Sequence, residues 1–534
     1  MFPLLFFLNV LFLSEGFFIA PGPKYRPTNG EIWPQPQHEL KLHTFYTFDP
    51  SQFNFKVTSH TCKILTDALE RHVYRLTRDH ITTRRLWKHR KNRSNKHRIV
   101  NDKNYLGVIK QLEVTLTEPC EDYPYFNMNE SYNLTISPEP ILMSSSIWGI
   151  LLGLQSFSQL FYFSSDFNDI RINTTHIEDY PRYSHRGLLL DTGRHFITMK
   201  NLLLTLDAMA MNKMNVFHWH IVDDQSFPYE SQKLPELSAR GAFHPIAVYS
   251  SIEVEKVIEY ARDRGIRVVP EFDVPGHTAS WGVAYPDILT ECYVGNEVTG
   301  LGPMEPTKNT TYKIIKDLFH EVNDVFPDKY FHIGGDEVDL GCWVSNPDLQ
   351  EYMLKHNYSS ASDLHTLFMS VAVRLVNKQK DLIVWQEVFE EGVPLSEETL
   401  IQIWKSDPIP SMQKALYSGH RVLFSSSWYL DQRSNLGTWE ELYECDPREM
   451  ALLNNITLAE NIVGGEACMW GEMVDNSNVI SRVWPRASAV AERLWTNVVG
   501  SPAAAVNRLE EQTCRLIRYG IDAQPPNGPS YCVT

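Results

Sequence analysis

Two acidic side chains, Asp336 and Glu337, stand next to each other after the apolar run YFHI and the glycine pair Gly334 and Gly335. Paired carboxyl groups are suited to general acid–base chemistry and to the cleavage of glycosidic bonds. Neighbouring residues of a regular strand point to opposite faces. Both acids can reach one site only where the chain bends, and the glycines allow such a bend. The alternative interpretation is a solvated pair of loop charges.

Eight apolar runs follow Arg182, and each one ends in polar or aromatic residues. Near-continuous apolar runs are typical of parallel strands that are buried on both faces. Amphipathic stretches alternate with them, for example MKNLLLTLDAMAMNKM and SIEVEKVIEYARDRG. Eight strand–helix units predict an α/β fold, the (β/α)8 TIM barrel. The runs are GLLLDTGRH, NVFHWHIVDD, IRVVPEFDVPGH, YFHIGGDE, LIVWQEVF, LIQIWKSD, RVLFSSSWYLD and IVGGEACMWGE.

The C-terminal ends of barrel strands meet at one face, which is where barrel active sites lie. An aliphatic core alone does not explain why so many polar and aromatic residues stand there. Indole faces stack on the C–H faces of a sugar ring and carboxylates bind its hydroxyls, so the set predicts a glycan substrate. The residues are Arg194, Asp223, His277, Asp336, Glu337, Trp385, Trp404, Trp428, Tyr429, Trp470 and Glu472.

Other chemistries lack their sequence signals. There is no G-x-S-x-G elbow, no phosphate loop and no zinc spacing of cysteines and histidines, so we expect no metal and no cofactor. The net charge of −16 argues against nucleic acid as the main partner. We interpret Asp224, His218 and His220 as structural residues, and Trp428 as either a core or a pocket residue.

Residues 21–182 differ from the rest of the chain and are richer in basic side chains. GVIKQLEVTL alternates in the manner of a sheet strand, and SSIWGILLGLQSFSQLF has helical spacing. We predict an N-terminal α+β domain over residues 21–182 and the catalytic barrel over residues 183–534. The basic run RRLWKHRKNRSNKHR is interpreted as a solvated insertion, with an anion-binding or proteolytically processed loop as the alternative.

The first 20 residues are mostly apolar and predict a secretory signal peptide. The segment lacks a basic n-region, so an uncleaved anchor is the alternative. We expect no further membrane span, since no other apolar stretch is long enough. Secretion also makes disulfides and N-linked glycans plausible. Sequons place candidate glycans on Asn92, Asn129, Asn133, Asn173, Asn309, Asn357 and Asn455.

Seven motifs in this order resemble those of the β-N-acetylhexosaminidases of glycoside hydrolase family 20, in particular the animal lysosomal enzymes. The resemblance covers nearly the whole chain and implies a substrate-assisted reaction, in which the 2-acetamido oxygen of the sugar is the nucleophile. A glycan-binding relative without activity and a chitooligosaccharide-degrading enzyme of the same family are the alternatives. The motifs are DTGRHF, FHWHIVDD, FDVPGH, HIGGDE, IVWQEVF, SSWYLD and GGEACMWGE.

The resemblance also implies the role of each site residue. Glu337 is the general acid and then the base, Asp336 orients the acetamide N–H, and Tyr429 donates to the acetamide oxygen. Asp223 and His277 form a relay that orients Glu337. The implied sugar ligands are Arg194 for the C3 and C4 hydroxyls, Glu472 for O4 and O6, and Trp385, Trp404 and Trp470 for the ring and the acetamide methyl.

Further properties are implied by resemblance alone. The protein is expected to be a homodimer, or a heterodimer with a related subunit, and to be lysosomal or secreted. Asp431, which follows WYL, implies a preference for neutral over sulfated sugars, with compensation of its charge by Lys405 or Arg433 as the alternative. Cys468 corresponds to a free buried thiol, and Cys445 has no counterpart. The implied disulfides are Cys62–Cys120, Cys292–Cys342 and Cys514–Cys532.

Overall fold

The computed structural model describes residues 28–88, 99, 102–164, 169–376, 378–431, 438–498 and 500–532. The predicted signal peptide, Asn92 and residues 89–98 of the basic run lie outside the described residues. Within the described part of the chain, none of the helices combines the length and the apolar character that a bilayer crossing requires.

The N-terminal part of the chain forms one eight-stranded mixed sheet. Its strand order is β2-β4-β6-β5-β8-β1-β3, and β7 pairs with β8 at the side. Two helices, α1 (Lys63–Lys88) and α2 (Ile147–Gln159), accompany it. The strands are β1 (His38–Phe48), β2 (Asn54–Ser59), β3 (Tyr105–Ile109), β4 (Gln111–Leu116), β5 (Tyr132–Ile136), β6 (Ile141–Ser144), β7 (Tyr162–Phe163) and β8 (Ile170–Asp179).

Eight parallel strands close into a barrel in the order β10-β11-β14-β15-β16-β17-β18-β9. Each of the eight apolar runs contains or overlaps one of these strands, so the predicted (β/α)8 barrel with an N-terminal α+β unit is confirmed. The barrel strands are β9 (His185–Asp191), β10 (Val216–His220), β11 (Arg267–Glu271), β14 (Tyr330–His332), β15 (Asp381–Trp385), β16 (Leu400–Ile403), β17 (Arg421–Phe424) and β18 (Ile462–Met469).

Helices separate successive barrel strands, and a hairpin of β12 (Leu289–Val294) and β13 (Glu297–Met304) is inserted after β11. Serine and asparagine side chains cap the N-termini of several helices; Ser250, for example, forms a capping box with Glu253. The helices are α3 (Met199–Met211), α4 (Glu236–Gly241), α5 (Ser251–Arg262), α6 (Ala279–Ala284), α7 (Asn309–Val325), α8 (Leu340–Ser345), α9 (Pro347–His356), α10 (Ala361–Leu375), α11 (Gln386–Glu390), α12 (Pro408–Tyr417), α13 (Trp439–Glu444), α14 (Pro447–Leu453), α15 (Val479–Val483), α16 (Arg486–Trp495) and α17 (Pro502–Arg518).

The barrel strands alternate between two environments, as the twofold period of a strand requires. In β10, Phe217 and Trp219 belong to the large cluster that includes the surrounding helices. Val216 belongs to a separate small cluster with one residue from each of six other strands, which is the apolar floor of the barrel. His218 and His220 lie on the same side of the strand as Val216 and above it. The inner layer above the floor is therefore polar.

The N-terminal sheet and the barrel share buried charge pairs as well as apolar contacts. Lys213 Nζ lies 2.7 Å from Asp179 Oδ2 and 3.0 Å from the Tyr132 hydroxyl. Arg186 donates to both oxygens of Glu130, at 2.5 and 3.0 Å. Charges that are buried in this way must be paired to be tolerated. The N-terminal unit is thus packed firmly against the base of the barrel.

Three disulfides join the pairs that the resemblance implies, Cys62–Cys120, Cys292–Cys342 and Cys514–Cys532. Cys292 lies in the inserted hairpin and Cys342 in α8, so this bond fixes the hairpin to the chain that follows β14. Cys468 is free and buried, as expected, and Cys445 is also free.

Asn173 is an exception among the sequons. It is buried on β8, its side-chain amide donates to Leu42 O at 2.6 Å, and its oxygen accepts from Tyr162. A glycan on this nitrogen would replace one of its two hydrogens and would need space that a buried side chain does not offer, so the structure argues against the predicted site. The other described sequon asparagines are exposed: Asn129, Asn133, Asn309, Asn357 and Asn455.

Candidate active site

A sharp bend after β14 brings the two neighbouring acids to one place. Gly334 and Gly335 have φ angles of +64° and +101°, and Glu337 itself has a φ of +51°. A left-handed conformation costs a residue with a Cβ about 1–2 kcal/mol. As a result Asp336 Oδ2 and Glu337 Oε2 both lie 3.8 Å from His277 Nε2. The bend that the glycine pair predicts is present.

Gly334 is required at its position by space as well as by conformation. A Cβ there would lie 1.7 Å from Asp273 Oδ1. We expect Gly334→Ala to lower the free energy of unfolding by about 3 kcal/mol, since the acid-bearing bend must move away from Asp273. Calorimetric melting measures the loss.

Gly419→Ala is the matched control for this substitution. Gly419 also has a positive φ of +90°, but a Cβ there meets nothing within 4 Å. We expect it to cost only the conformational part, about 1 kcal/mol. Equal losses in the two variants would contradict the steric argument at Gly334.

Asp223 and His277 contact each other, as the relay that the resemblance implies requires. His277 Nδ1 lies 3.2 Å from Asp223 Oδ1. Burial would lower the pKa of His277, but its hydrogen bond to Asp223 and the charge of Asp336 outweigh burial and raise this pKa to about 9. The protonated Nδ1 therefore donates to Asp223, and Nε2 presents a positive charge to Asp336 and Glu337.

Arg194 is held rigidly at the same edge of the barrel. Its Nη1 lies 2.9 Å from Asp223 Oδ2 and 3.2 Å from Asp191 Oδ2. Asp191 also accepts the backbone N–H groups of Gly193 and Gly471 at 2.8 Å each, and so ties the loop after β9 to the loop after β18. Glu472 is exposed in that second loop, and its charge acts on Arg194.

The predicted aromatic residues form one cluster, which we call the aromatic wall: Trp385, Trp404, Trp470 and Tyr429. The centroid of the Trp385 ring lies 6.5 Å from that of Trp404 and 6.1 Å from that of Trp470. Tyr429 stacks on Trp404 at 6.1 Å. Burial above all raises the pKa of Tyr429 well above its usual range, so its hydroxyl remains a donor.

Trp428 does not join this wall. It is fully buried, it packs against Phe424, and its Nε1 donates to Leu442 O at 3.1 Å. Of the two roles that the sequence leaves open, the structure assigns Trp428 to the core. Its neighbour Tyr429 turns toward the wall because adjacent side chains of an extended segment face opposite ways.

Two family comparisons match the two parts of the fold. The description "Glycosyl hydrolase family 20, catalytic domain" matches residues 183–498, and "beta-acetyl hexosaminidase like" matches residues 32–160. The chain belongs to glycosyl hydrolase family 20.

Curated relatives and solved structures agree with this assignment. The chain is 42% identical to the mouse (Mus musculus) β-hexosaminidase subunit alpha over 508 residues, which are 92% of this chain and 93% of the relative. It is 44% identical to the human (Homo sapiens) β-hexosaminidase subunit beta over 425 residues, 78% of this chain and 76% of the relative. The chitobiase of Flavobacterium johnsoniae has a similar structure, with a TM-score of 0.78, 29% identity and coverage of 92% and 73%.

Three acids of this family 20 site are not among the residues that the sequence analysis selects. Asp191 holds Arg194, as described above. Glu387 Oε2 accepts the Trp404 indole N–H at 3.0 Å and so fixes one indole of the wall. Asp273 accepts the N–H of Gly335 at 2.8 Å. All three stand inside quoted motifs, at or just after strand ends, so their position was a usable signal.

Asp273 also lies close to the catalytic candidate Asp336, and both have polar atoms within 4.8 Å of His277. Burial first, and then the charge of Asp336, raise the pKa of Asp273 well above its usual range. A protonated Asp273 can donate a hydrogen bond to Asp336. That matters because Asp336 Oδ1 is buried without a donor among the described residues.

Three groups of histidines and carboxylates in the described residues have ligand atoms close enough to hold a cation. Their members already contact one another: His218 Nε2, for example, lies 2.9 Å from Glu271 Oε2, and His277 Nδ1 lies 3.2 Å from Asp223. Mutual hydrogen bonds and charge pairing account for this clustering. The expectation that the family 20 chain needs no metal stays a prediction.

Proposed function

We propose that this protein is an exo-β-N-acetylhexosaminidase, which removes terminal non-reducing β-linked GlcNAc or GalNAc from glycoconjugates with retention of configuration. The observation that carries the proposal is the bend that brings Asp336 and Glu337 to one histidine. The aromatic wall lies at the same end of the barrel, and the charge of Asp336 acts on its member Tyr429. A sugar ring fits between an indole wall and hydrogen-bonding acids.

The position of the two acids favours a nucleophile that belongs to the substrate. In the usual retaining reaction, two carboxyl groups about 5 Å apart flank the glycosidic bond from opposite sides. Neighbours on one turn that share a histidine cannot flank a bond in that way. The 2-acetamido group of the sugar can supply the missing nucleophile, which leaves Asp336 and Glu337 to work on one side.

Each chemical step then has a residue. Glu337 gives its proton to the glycosidic oxygen while the acetamide oxygen forms a bond to C1 and the leaving group departs. Asp336 accepts the acetamide N–H and offsets the positive charge of the oxazolinium that results. Tyr429 donates to the acetamide oxygen. Glu337, now a carboxylate, takes a proton from the water that attacks C1. This attack breaks the bond between C1 and the acetamide oxygen, which opens the oxazolinium ring and restores the acetamide.

Binding of the terminal sugar is assigned to the edge residues. The Nη1 of Arg194 is occupied by two carboxylates, and its further N–H groups are assigned to the C3 and C4 hydroxyls. Exposed Glu472 is assigned to O4 and O6. Trp385, Trp404 and Trp470 are assigned to the sugar ring and the acetamide methyl, which they contact through their faces.

Release of 4-nitrophenol from the β-GlcNAc and β-GalNAc glycosides between pH 4 and 7 tests the proposal on the full-length secreted chain. We expect turnover of both sugars. A folded protein that binds a thiazoline analogue of the intermediate but releases no nitrophenol would instead be a glycan-binding relative. Faster cleavage of long than of short chitooligosaccharides would point to a chitin-degrading enzyme of the same family.

Tolerance of sulfated sugars is expected to depend on pH through Asp431. Burial, supported by the charge of Glu472 and opposed by the backbone N–H of Asp431, raises the pKa of Asp431 to about 6. The carboxyl is neutral below this pH and charged above it. Lys405 does not offset the charge, because its Nζ already lies 3.3 Å from Glu387 and 3.1 Å from Glu390. Gln432 and Arg433 lie outside the described residues.

The measurement is the ratio of kcat/KM for 6-sulfated and neutral arylglycosides at pH 4.5 and pH 7. We expect this ratio to fall about tenfold between the two values, since one order of magnitude corresponds to ~1.4 kcal/mol of repulsion. In Asp431→Asn the ratio should stay flat. An unchanged pH dependence in this variant would remove Asp431 from the explanation.

The oligomer, the location and the domain boundary complete the proposal. The similar mouse and human proteins are named as alpha and beta subunits, which supports a homodimer or a heterodimer with a related chain. The apolar N-terminus and the sequons support a lysosomal or secreted glycoprotein. The family match that begins at residue 183 supports a catalytic domain from residue 183 after an N-terminal domain over residues 21–182. Light scattering of the purified chain measures the oligomer.

A further inference from the structure

We propose that Glu271, a fully buried carboxylate inside the barrel, is a positioning residue that holds both the Asp223–His277 relay and the aromatic wall in place. This inference rests on the proposed function. Glu271 touches neither acid directly, and the reaction described above does not use it. It stands at the C-terminal end of β11, one layer below the site.

Four side chains surround this carboxylate. Oε2 accepts from His220 Nδ1 at 2.6 Å and lies 2.9 Å from His218 Nε2. Oε1 accepts the indole N–H of Trp385 at 2.8 Å. The fourth neighbour is His332, whose Nδ1 lies 3.1 Å from Oε1 and accepts the N–H of Gly334 at 3.0 Å. One carboxylate thus contacts three other barrel strands.

The first branch from Glu271 leads to the general acid. His220 Nε2 donates to Asp223 Oδ2 at 2.7 Å, so His220 bridges the two carboxylates. Burial would lower the pKa of His220, but Glu271 and Asp223 outweigh burial and raise it to about 10. Asp223 in turn accepts a hydrogen bond from His277 Nδ1, and the Nε2 of His277 faces Glu337. The charges alternate from Glu271 to His277, and each group fixes the proton position of the next.

The second branch leads to the wall. Trp385 is almost fully buried, and its ring contacts both Trp404 and Trp470. Its hydrogen bond to Glu271 fixes the rotation of the indole about its side-chain bonds. The wall is assigned to the ring and the acetamide methyl, so a rotated Trp385 would disturb binding of the intermediate. Glu271 therefore couples the two halves of the site mechanically.

Glu271→Gln tests the coupling. Donors face both oxygens of Glu271: His218 and His220 on one side and Trp385 on the other. Glutamine has an NH2 group in place of one oxygen, so on one of the two sides donor would face donor. We expect kcat/KM for N,N′-diacetylchitobiose to fall about 10- to 100-fold, the range that corresponds to the loss of a buried hydrogen bond to a charged group. The loss for the 4-nitrophenyl glycoside should be about tenfold smaller, because this leaving group needs little help from the Glu337 proton.

Glu466→Gln is the matched control. Glu466 is also fully buried in the barrel and also binds two histidines, His185 at 2.6 Å and His218 at 2.7 Å. Its third partner is Gln402 at 3.0 Å, and none of its hydrogen bonds among the described residues goes to Asp223 or Trp385. A purely structural loss should lower kcat/KM for N,N′-diacetylchitobiose and for the 4-nitrophenyl glycoside by the same factor. Equal factors in Glu271→Gln as well would overturn the inference.

Two further variants decide the matter if Glu271→Gln does not fold. His220→Gln breaks the relay branch and leaves the hydrogen bond from Trp385 to Glu271 in place, although it also removes the ring that packs edge-on against Trp470 at 5.0 Å. It should therefore enlarge the difference between the two substrates by a larger factor than it lowers the thiazoline affinity. Trp385→Phe keeps an aromatic ring but removes the pyrrole part of the indole together with its N–H, so it breaks the wall branch and leaves His220 and Asp223 in place. It should weaken thiazoline binding at least threefold and leave the substrate difference unchanged. Wild-type behaviour in both variants would overturn the inference.

The failure of the inference and the failure of the proposed function can be told apart. If the wild-type chain hydrolyses neither substrate, the proposed function fails and the inference fails with it. If the wild type hydrolyses both substrates while the variants show no branch-specific loss, only the role of Glu271 is rejected.

Discussion

Glu337→Gln is expected to hydrolyse N,N′-diacetylchitobiose about 10³-fold more slowly than the wild type. General acid catalysis contributes 10²- to 10⁴-fold, and a sugar alkoxide cannot leave without a proton. Glutamine keeps the size of the side chain, which is 57% exposed, so the fold should not change. The rate is measured by reducing-end release at the optimal pH of the wild type.

The control for this loss is Glu70→Gln, which removes an exposed carboxylate from α1 on the N-terminal unit. It should hydrolyse the disaccharide at the wild-type rate. The thiazoline analogue should bind Glu337→Gln with nearly wild-type affinity, because the proton donor does not hold the acetamide. A rate within tenfold of the wild type would exclude Glu337 as the acid and point to another carboxyl group, such as Glu387.

Asp336→Asn is expected to lower kcat by about 10²- to 10³-fold for a different reason. The intermediate carries a positive charge, and a fixed carboxylate beside it is worth this much when it acts in a site that excludes water. Asp336 is buried and close to His277 and Asp273, so no solvent can replace its charge. The asparagine amide would keep one acceptor and lose the charge.

The affinity for the thiazoline separates the two neighbouring acids. We expect Asp336→Asn to bind this analogue about 100-fold more weakly, whereas Glu337→Gln should bind it almost normally. Isothermal titration measures both affinities in the same buffer. If both variants kept wild-type affinity, Asp336 would not offset the charge of the intermediate, and the substrate-assisted division of labour would be wrong.

The barrel illustrates which parts of a fold are determined by short segments of the sequence. Each of the eight apolar runs became a strand, because burial on both faces demands an unbroken apolar segment whatever the neighbours are. The bend at Gly334 and Gly335 is equally local, since only glycine adopts those φ angles without strain. The closure of the strands then gathered Arg194, His277 and Trp470 at one face, as barrel geometry requires.

The sequence did not distinguish residues of the same type that differ only in their surroundings. Trp428 and Tyr429 are neighbours after one strand, yet the first lies in the core and the second in the wall. Asn173 has the same sequon pattern as exposed Asn133, but its amide is enclosed by Leu42 and Tyr162. Such differences depend on partners that are distant along the chain.

The sequence by itself determined the barrel, the family resemblance and the acid pair, because periodicity, glycine placement and motif order are properties of short segments. Only the tertiary structure decided which buried acids support them. Asp191, Glu271 and Asp273 look like ordinary strand-end acids in the sequence. Their partners, Gly471, Trp385 and Gly335, lie on other strands or loops, and hydrogen bonds of this kind exist only once the barrel has closed.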